Sequence, residues 1–88
     1  MSKIVATFKV FPKDIDIDLN NLRTLITNAL PKGASIYKSQ EEPIAFGLSA
    51  LIIHVVLPDE EGLMDQVESS IKAIDDISQM ETVMVRLV

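Results

Sequence analysis

The chain has 88 residues, no cysteine and a formal net charge of −5, and 48% of its residues are hydrophobic. This composition predicts one small globular domain and excludes disulfide bonds and thiolate zinc sites. No apolar run reaches the roughly 20 residues that a membrane-spanning helix needs, and the N-terminal segment has no signal-peptide pattern, so we expect a cytoplasmic protein with no membrane partner. Direct nucleic-acid binding is disfavoured, because phosphate contacts require clustered lysine and arginine and the sequence has no such cluster.

The first half of the chain predicts a strand, a helix and a weaker strand. Residues Lys3–Phe11 alternate in polarity, and the drier face comprises Ile4, Ala6, Phe8 and Val10. From Asp18, apolar residues recur at helical spacing. Asp18 is placed to cap the first turn of this helix, and Pro31 to Gly33 to end the last. Residues Ala34–Glu42 favour a second strand, less strongly.

The second half predicts a strand, a helix and a final strand. Residues Leu48–Leu57 give the strongest strand pattern in the chain. Asp59 is predicted to cap the second helix, with Glu60–Glu61 in its first turn and Lys72 near its end, as the helix dipole favours. The buried stripe of this helix is predicted to be Leu63, Val67, Ile71 and Ile74, supported by Met64. Residues Glu81–Val88 form the last predicted strand.

The order strand, helix, strand, strand, helix, strand predicts the fold class. Two short helices can cover only one face of four strands. We therefore expect an α+β, ferredoxin-like βαββαβ sandwich, in which a four-stranded antiparallel sheet carries two helices on one face. The opposite face should meet solvent or a partner.

An acidic segment, DIDID, alternates Asp14, Asp16 and Asp18 and resembles the first half of a calcium-binding loop. Such a loop needs glycine at its sixth position and glutamate at its twelfth, whereas this chain has Leu19 and Leu25 there. A polar turn that ends in a helix cap explains the segment, and no metal site is predicted.

No set of residues predicts catalysis. His54 is the only histidine and has no nucleophile placed with it, so we expect it to be exposed on the open side of the sheet. Solvation explains the acidic pairs Glu41–Glu42 and Glu60–Glu61 at least as well as acid–base chemistry does, and Glu41 and Glu42 stay open between contacts at the rim of an interface and solvation. The glycine-rich motifs that bind nucleotide phosphates are absent. The central strands offer only Phe8 and Phe11 for stacking on RNA bases. The chain is therefore predicted to be neither an enzyme nor a holder of a cofactor.

The stretch EEPIAFGL, residues 41–48, joins two predicted strands. Pro43 and Gly47 are typical turn residues. The residues leave open whether this stretch is only a connector or presents Phe46 to a partner.

The longer stretch EEPIAFGLSALIIHVVLPDEEG resembles the elongation factor 1-beta family, the guanine nucleotide exchange factors of the GTPase elongation factor 1-alpha. The resemblance is strongest in PIAFGL and the strand ALIIHVV, and the segment ISQMETVMVRLV is similar to the family's final strand. It extends over Lys3–Val88. It implies that residues 1–88 form a single exchange domain of archaeal type, with elongation factor 1-alpha as the partner.

The resemblance also implies functional residues. The aromatic counterpart of Phe46 inserts into the GTPase in eukaryotic relatives, and Pro43 and Gly47 would shape the loop that presents it, with Ile44 beside it. These relatives end with a lysine next to last, directed at the magnesium site, where this chain has Leu87. The adjacent Arg86 is a candidate contact, although it should point to the opposite face of the sheet because strand neighbours alternate.

Three other functions remain possible from the residues. One is a small ferredoxin-like regulatory module that binds a metabolite or another protein. The others are a minor enzyme subunit, which lacks the expected catalytic groups, and an RNA-binding module, which the charge disfavours.

Overall fold

The computed structural model describes residues 2–88 and has the predicted order of elements. In chain order these are β1 (Lys3–Pro12), α1 (Leu19–Ala29), β2 (Ser35–Ala45), β3 (Leu48–Pro58), α2 (Leu63–Lys72) and β4 (Ile77–Leu87). Within these residues the strands form a four-stranded antiparallel sheet in the order β2-β3-β1-β4, and both helices pack on one face. The predicted α+β ferredoxin-like sandwich is confirmed.

The core lies between the helices and one face of the two central strands, which we call the covered face. The strands contribute the alternating residues Ala6, Phe8, Val10, Leu51, Ile53, Val55 and Leu57. The helices contribute Leu22, Ile26, Leu63, Val67 and Ile71. The drier side predicted for β1 is thus the buried side, because a strand with period two turns every second side chain to the same face. We call the other side of the sheet the open face.

The start of α1 follows the prediction. The Asp18 carboxylate accepts a hydrogen bond from the main-chain N–H of Asn20 at 2.8 Å, which satisfies one of the free donors of the first turn. The Asp14 carboxylate accepts from the N–H of Asp16 at 2.9 Å. The acidic segment is therefore a hydrogen-bonded turn that leads into a helix cap.

The predicted start of α2 is wrong. The N-cap is Gly62, with φ +80° and no side-chain cap bond, and Glu60–Glu61 precede the helix. Asp59 lies three residues before this N-cap, and its N–H donates to the carbonyl of Ser2 at 3.1 Å. Lys72 lies in the last turn, as predicted.

Strand β2 extends further than predicted and includes Pro43. This strand is at the edge of the sheet, and its register with β3 shifts between Pro43 and Ala45. Proline is tolerated at edges and bulges because its missing N–H removes no ladder bond there. Pro43 is therefore a strand residue, and the connection to β3 consists of Phe46 and Gly47 alone.

Strand β4 begins at Ile77, four residues before the predicted start, and contains a bulge. Neighbouring residues of β1 pair with Met84 and with Thr82, so that Val83 is left over. Thr82 lies on the covered face as a result, and its hydroxyl donates to the carboxylate of Glu68 in α2 at 2.8 Å. A regular alternation along this strand would place Thr82 on the same face as Met84 and Arg86, so the bulge changes the face of Thr82.

Beyond the bulge, the faces of β4 follow from its pairing with β1. Arg86 pairs with Val5 and therefore lies on the open face. Leu87 pairs with Ile4 and lies on the covered face, beyond the reach of the helices, where it is exposed. The prediction that these two side chains point to opposite faces is confirmed.

Candidate partner-binding site

The β2–β3 connection is a tight turn of two residues with left-handed backbone. Phe46 has φ +52° and Gly47 has φ +81°, and Ala45 pairs with Leu48 across the turn. Positive φ at both central residues is the geometry of a type I′ hairpin, in which the second position favours glycine. Phenylalanine is unusual at the first position, because its Cβ clashes with the backbone at a cost of about 1 to 2 kcal/mol.

The side chain of Phe46 is 100% exposed. The ring therefore contributes nothing to the core, although the backbone beneath it is strained. Ile44, at the register shift of β2, is also exposed. A fully exposed aromatic ring on a strained turn, next to an exposed isoleucine, is characteristic of residues kept for binding, since the fold gains no stability from the ring or from the strain.

A cleft of about 300 Å³ lies beside this turn. Its lining includes Gly47, Glu41 and residues of the loop that follows β1, among them Asp14 and Ile15. Ile15 is 62% exposed and extends the apolar surface at this end of the sheet. The sequence analysis assigned the acidic segment only to a turn and a helix cap. The position of Ile15 between two aspartates was nevertheless a sign in the sequence of an exposed apolar side chain.

The two acids before Pro43 have different surroundings. Glu42 lies on the open face, where its Oε2 is 2.6 Å from Nζ of Lys9. The hydrogen bond to Glu42 raises the pKa of Lys9 above its usual value. The same Nζ lies 5.4 Å from the centre of the Phe11 ring. Glu42 therefore belongs to an ion pair across the sheet, whereas Glu41 lines the cleft beside the turn.

Arg86 lies at the other end of the sheet from the turn. Arg86 pairs with Val5 of β1, and Val5 pairs with Val56 of β3 on its other side. The hairpin turn at Phe46 is followed directly by Leu48, the first residue of β3. From Leu48 to Val56 along β3 is roughly 26 Å at the rise of a strand. The structure therefore brings Pro43, Ile44, Phe46 and Gly47 together and leaves Arg86 apart, on a molecule 43 Å long.

A shallow groove of about 390 Å³ crosses the open face near Arg86. It is lined by Val5, Thr7, Tyr37, Lys38, His54, Met84 and Arg86. His54 lies on this face as predicted, but it is half-buried because it packs against its neighbours. Its Nδ1 is hydrogen-bonded to Oγ1 of Thr7 at 2.9 Å, and its ring centre is 5.9 Å from that of Tyr37.

Within residues 2–88, no group of three or more histidine, aspartate or glutamate side chains is placed to hold a metal ion. In the same part of the chain, no helix has the length and apolar character needed to cross a bilayer.

Comparison with known proteins identifies the family of this chain. The sequence profile of the EF-1 guanine nucleotide exchange domain matches residues 5–88. Elongation factor 1-beta of Methanothermobacter thermautotrophicus is 43% identical over 86 residues, covering 98% of this chain and 97% of the relative. The proteins of the same name from Halobacterium salinarum and Staphylothermus marinus are 41% and 42% identical, and each alignment covers at least 91% of both chains.

A solved structure shows the same fold in a distant protein. The C-terminal domain of the MgtC protein from Mycobacterium tuberculosis superimposes with a TM-score of 0.64, covering 92% of this chain and 85% of that domain. The two share 6% sequence identity, so this similarity concerns the fold alone. The profile match and the archaeal relatives show more: the chain belongs to the family of EF-1 guanine nucleotide exchange domains and is a nucleotide exchange factor of translation elongation.

Proposed function

We propose that residues 1–88 act as a single domain in the cytoplasm that binds elongation factor 1-alpha, promotes release of GDP and allows GTP to enter. The GTP form of that GTPase is the one that binds aminoacyl-tRNA. The proposal needs no direct contact of this chain with nucleic acid or membrane. The observation that carries it is Phe46, which is fully exposed on a strained two-residue turn.

The exchange mechanism requires no chemical catalysis by this chain. A GTPase holds its nucleotide through phosphate-loop and magnesium contacts. A protein that binds the nucleotide-free form more tightly must weaken nucleotide affinity by the same coupling free energy. A rigid aromatic side chain that inserts into the GTPase can provide this differential binding, because buried aromatic anchors often dominate interface energies. This chain is therefore a binding protein that changes a rate, not an enzyme that makes or breaks bonds.

The hairpin limits how Phe46 can move. The turn has only two residues between paired strands, so the ring is presented from a rigid element and loses little conformational freedom on binding. Pro43 and Ile44 shape the strand that leads into the turn, and Gly47 supplies the second left-handed residue. We assign partner contacts to Ile44 and Phe46, and a positioning role to Pro43 and Gly47.

The second proposed contact is Arg86. Because it lies roughly 26 Å from the hairpin turn along the sheet, both contacts require the GTPase to meet this domain along much of its length. Leu87, which replaces the lysine of the eukaryotic relatives, carries no charge and faces away from Arg86. The proposed mechanism therefore includes no cationic group at that position.

Release of fluorescent GDP from purified elongation factor 1-alpha tests the function. We expect wild-type protein to accelerate release, and Phe46→Ala to lower the second-order rate constant by roughly tenfold or more, the size of a hot-spot truncation. Leu25→Ala is the matched control, since it also removes an exposed apolar side chain but lies on α1. No acceleration by the wild type at saturation would refute the function. Wild-type rates with Phe46→Ala would refute the role of the ring alone.

A further inference from the structure

Three of the eight basic side chains of this acidic protein lie on one half of the open face. Strand pairing places Lys3, Lys38 and Arg86 there, around the groove described above. The acidic side chains of the open face, Glu42 and Glu81, both lie in the other half, opposite or beside Lys9. A basic area with no acidic side chain is therefore present on a chain whose net charge is −5.

The groove in this basic half spans all four strands. Its floor comes from the central strands through Val5, Thr7 and His54. One wall is formed by Tyr37 and Lys38 of the edge strand β2, and the other by Met84 and Arg86 of the edge strand β4. Tyr37 and Met84 are each more than half exposed. Arginine, tyrosine and methionine are enriched in protein interfaces, so the walls have the composition of a docking surface.

The polar groups of the groove are available to a ligand. The ion pair between Lys9 and Glu42 is the one formed among residues 2–88, so the charged groups of Lys38 and Arg86 have no carboxylate partner there. Thr7 and His54 satisfy one polar atom of each other and leave the second imidazole nitrogen free to contact a bound group. A carboxylate placed between the two cations would gain charge-assisted hydrogen bonds, which are stronger than neutral ones.

We propose that this groove docks an acidic segment of the GTPase, with a partner carboxylate held between Lys38 and Arg86. The inference rests on the proposed exchange function and extends it by identifying the face of the sheet that meets the partner. Charge complementarity favours this occupant. A second copy of this chain would bring two basic grooves together, and a nucleic acid would be repelled by the acidic remainder of the surface.

Docking through this groove mainly sets the rate of association. Complementary charges steer partners towards each other and raise association rates by roughly tenfold or more at low ionic strength. The hairpin turn at the other end then acts on a GTPase that is already oriented. The groove and Phe46 therefore affect different parameters: the groove changes the second-order rate constant, and Phe46 also changes the maximal rate of GDP release.

Charge reversal with a matched control tests the inference. We expect Lys38→Glu combined with Arg86→Glu to lower the second-order rate constant of GDP release about tenfold at low salt, with the deficit shrinking as salt screens the charges. The maximal rate at saturating protein should be close to that of the wild type. Arg23→Glu is the matched control for Arg86→Glu alone, because it makes the same single reversal on the exposed side of α1, and it should alter either rate less than about twofold.

His54 supplies a second, direct readout, because it is the only histidine in the chain. Its ring NMR signals should shift when elongation factor 1-alpha is added to wild type or to Arg23→Glu. Unshifted signals in the complex would overturn the inference. Equal losses of the second-order rate constant in the control and the double variant, or no loss in either, would also overturn it. A change of sedimentation in the double variant alone would do so too, because it would indicate that the groove binds a second copy of this chain. GDP release by wild type that depends on Phe46 would leave the exchange function intact in each of these cases.

Discussion

Replacement of Phe46 by asparagine should make the protein more stable and less active. Phenylalanine at φ +52° pays a steric cost that asparagine largely avoids, and Asn-Gly is the favoured pair in a type I′ hairpin. The ring is fully exposed, so its removal uncovers no apolar surface and the usual loss of about 25 cal/mol per Å² does not apply. The free energy of unfolding should therefore rise by about 1 kcal/mol.

Urea unfolding followed by circular dichroism measures this change. The midpoint should increase while the m-value stays constant, because the area exposed on unfolding is unchanged. The midpoint of thermal unfolding should rise by about 4 to 8 °C for a domain of this size. Phe46→Ala is the companion variant. Alanine retains the cost of the left-handed conformation, so its stability should stay within about 0.5 kcal/mol of the wild type.

Both variants should lose most of the exchange activity, since neither has the aromatic ring. Opposite effects on stability and activity would show that the ring is kept for binding, as expected when a binding site is not optimised for folding. An asparagine variant that is no more stable than the alanine variant would refute the strained turn. An asparagine variant with wild-type exchange would refute the insertion of the ring.

Two further predictions concern the helix caps and the ion pair. Asp18→Ala removes the cap bond to Asn20 and should lower the free energy of unfolding by about 1 kcal/mol, whereas Asp59→Ala should change it by less than about 0.5 kcal/mol; equal losses in urea would contradict the two assignments. The raised pKa of Lys9 means that its pairing with Glu42 stabilises the fold below pH 10.5 and ceases to do so as the pH rises through the raised value. The melting temperature of Glu42→Gln should therefore lie below that of the wild type at neutral pH and approach it above pH 10.5, and a difference that persists at alkaline pH would refute the pairing.

The sequence predicts most of the fold because the two periodicities of the chain are clear. The covered face of β1 and the buried residues Leu63, Val67 and Ile71 of α2 follow directly from them, whereas Ile74, also predicted for that stripe, lies beyond the end of the helix. The errors occur at ends of elements, where a distant contact decides the outcome. Asp59 has the residue type of a helix cap, but the N-cap lies three residues later at Gly62, and the N–H of Asp59 bonds to Ser2 at the start of the chain, which no local pattern reports.

The candidate site is only partly visible in the sequence. A glycine after an aromatic residue suggests that Phe46 lies at a turn, but its complete exposure and its positive φ depend on the register of two strands. The groove near Arg86 could not be predicted, because its walls come from strands that are far apart in the sequence and become the two edges of one sheet. The separation of Arg86 from the turn likewise follows from strand pairing alone.

The bulge at Val83 determines which face of the sheet each side chain at the end of β4 occupies. If Val83 were instead paired as a regular strand residue, every later side chain would pair one position nearer the start of β1, so that Arg86 would lie opposite Ile4 and Leu87 opposite Lys3. Arg86 would then lie on the covered face and Leu87 on the open face. Deletion of Val83 would leave the present pairings intact, because Thr82 and Met84 already pair with consecutive residues of β1; the bulge therefore absorbs one residue without moving either side chain to the other face.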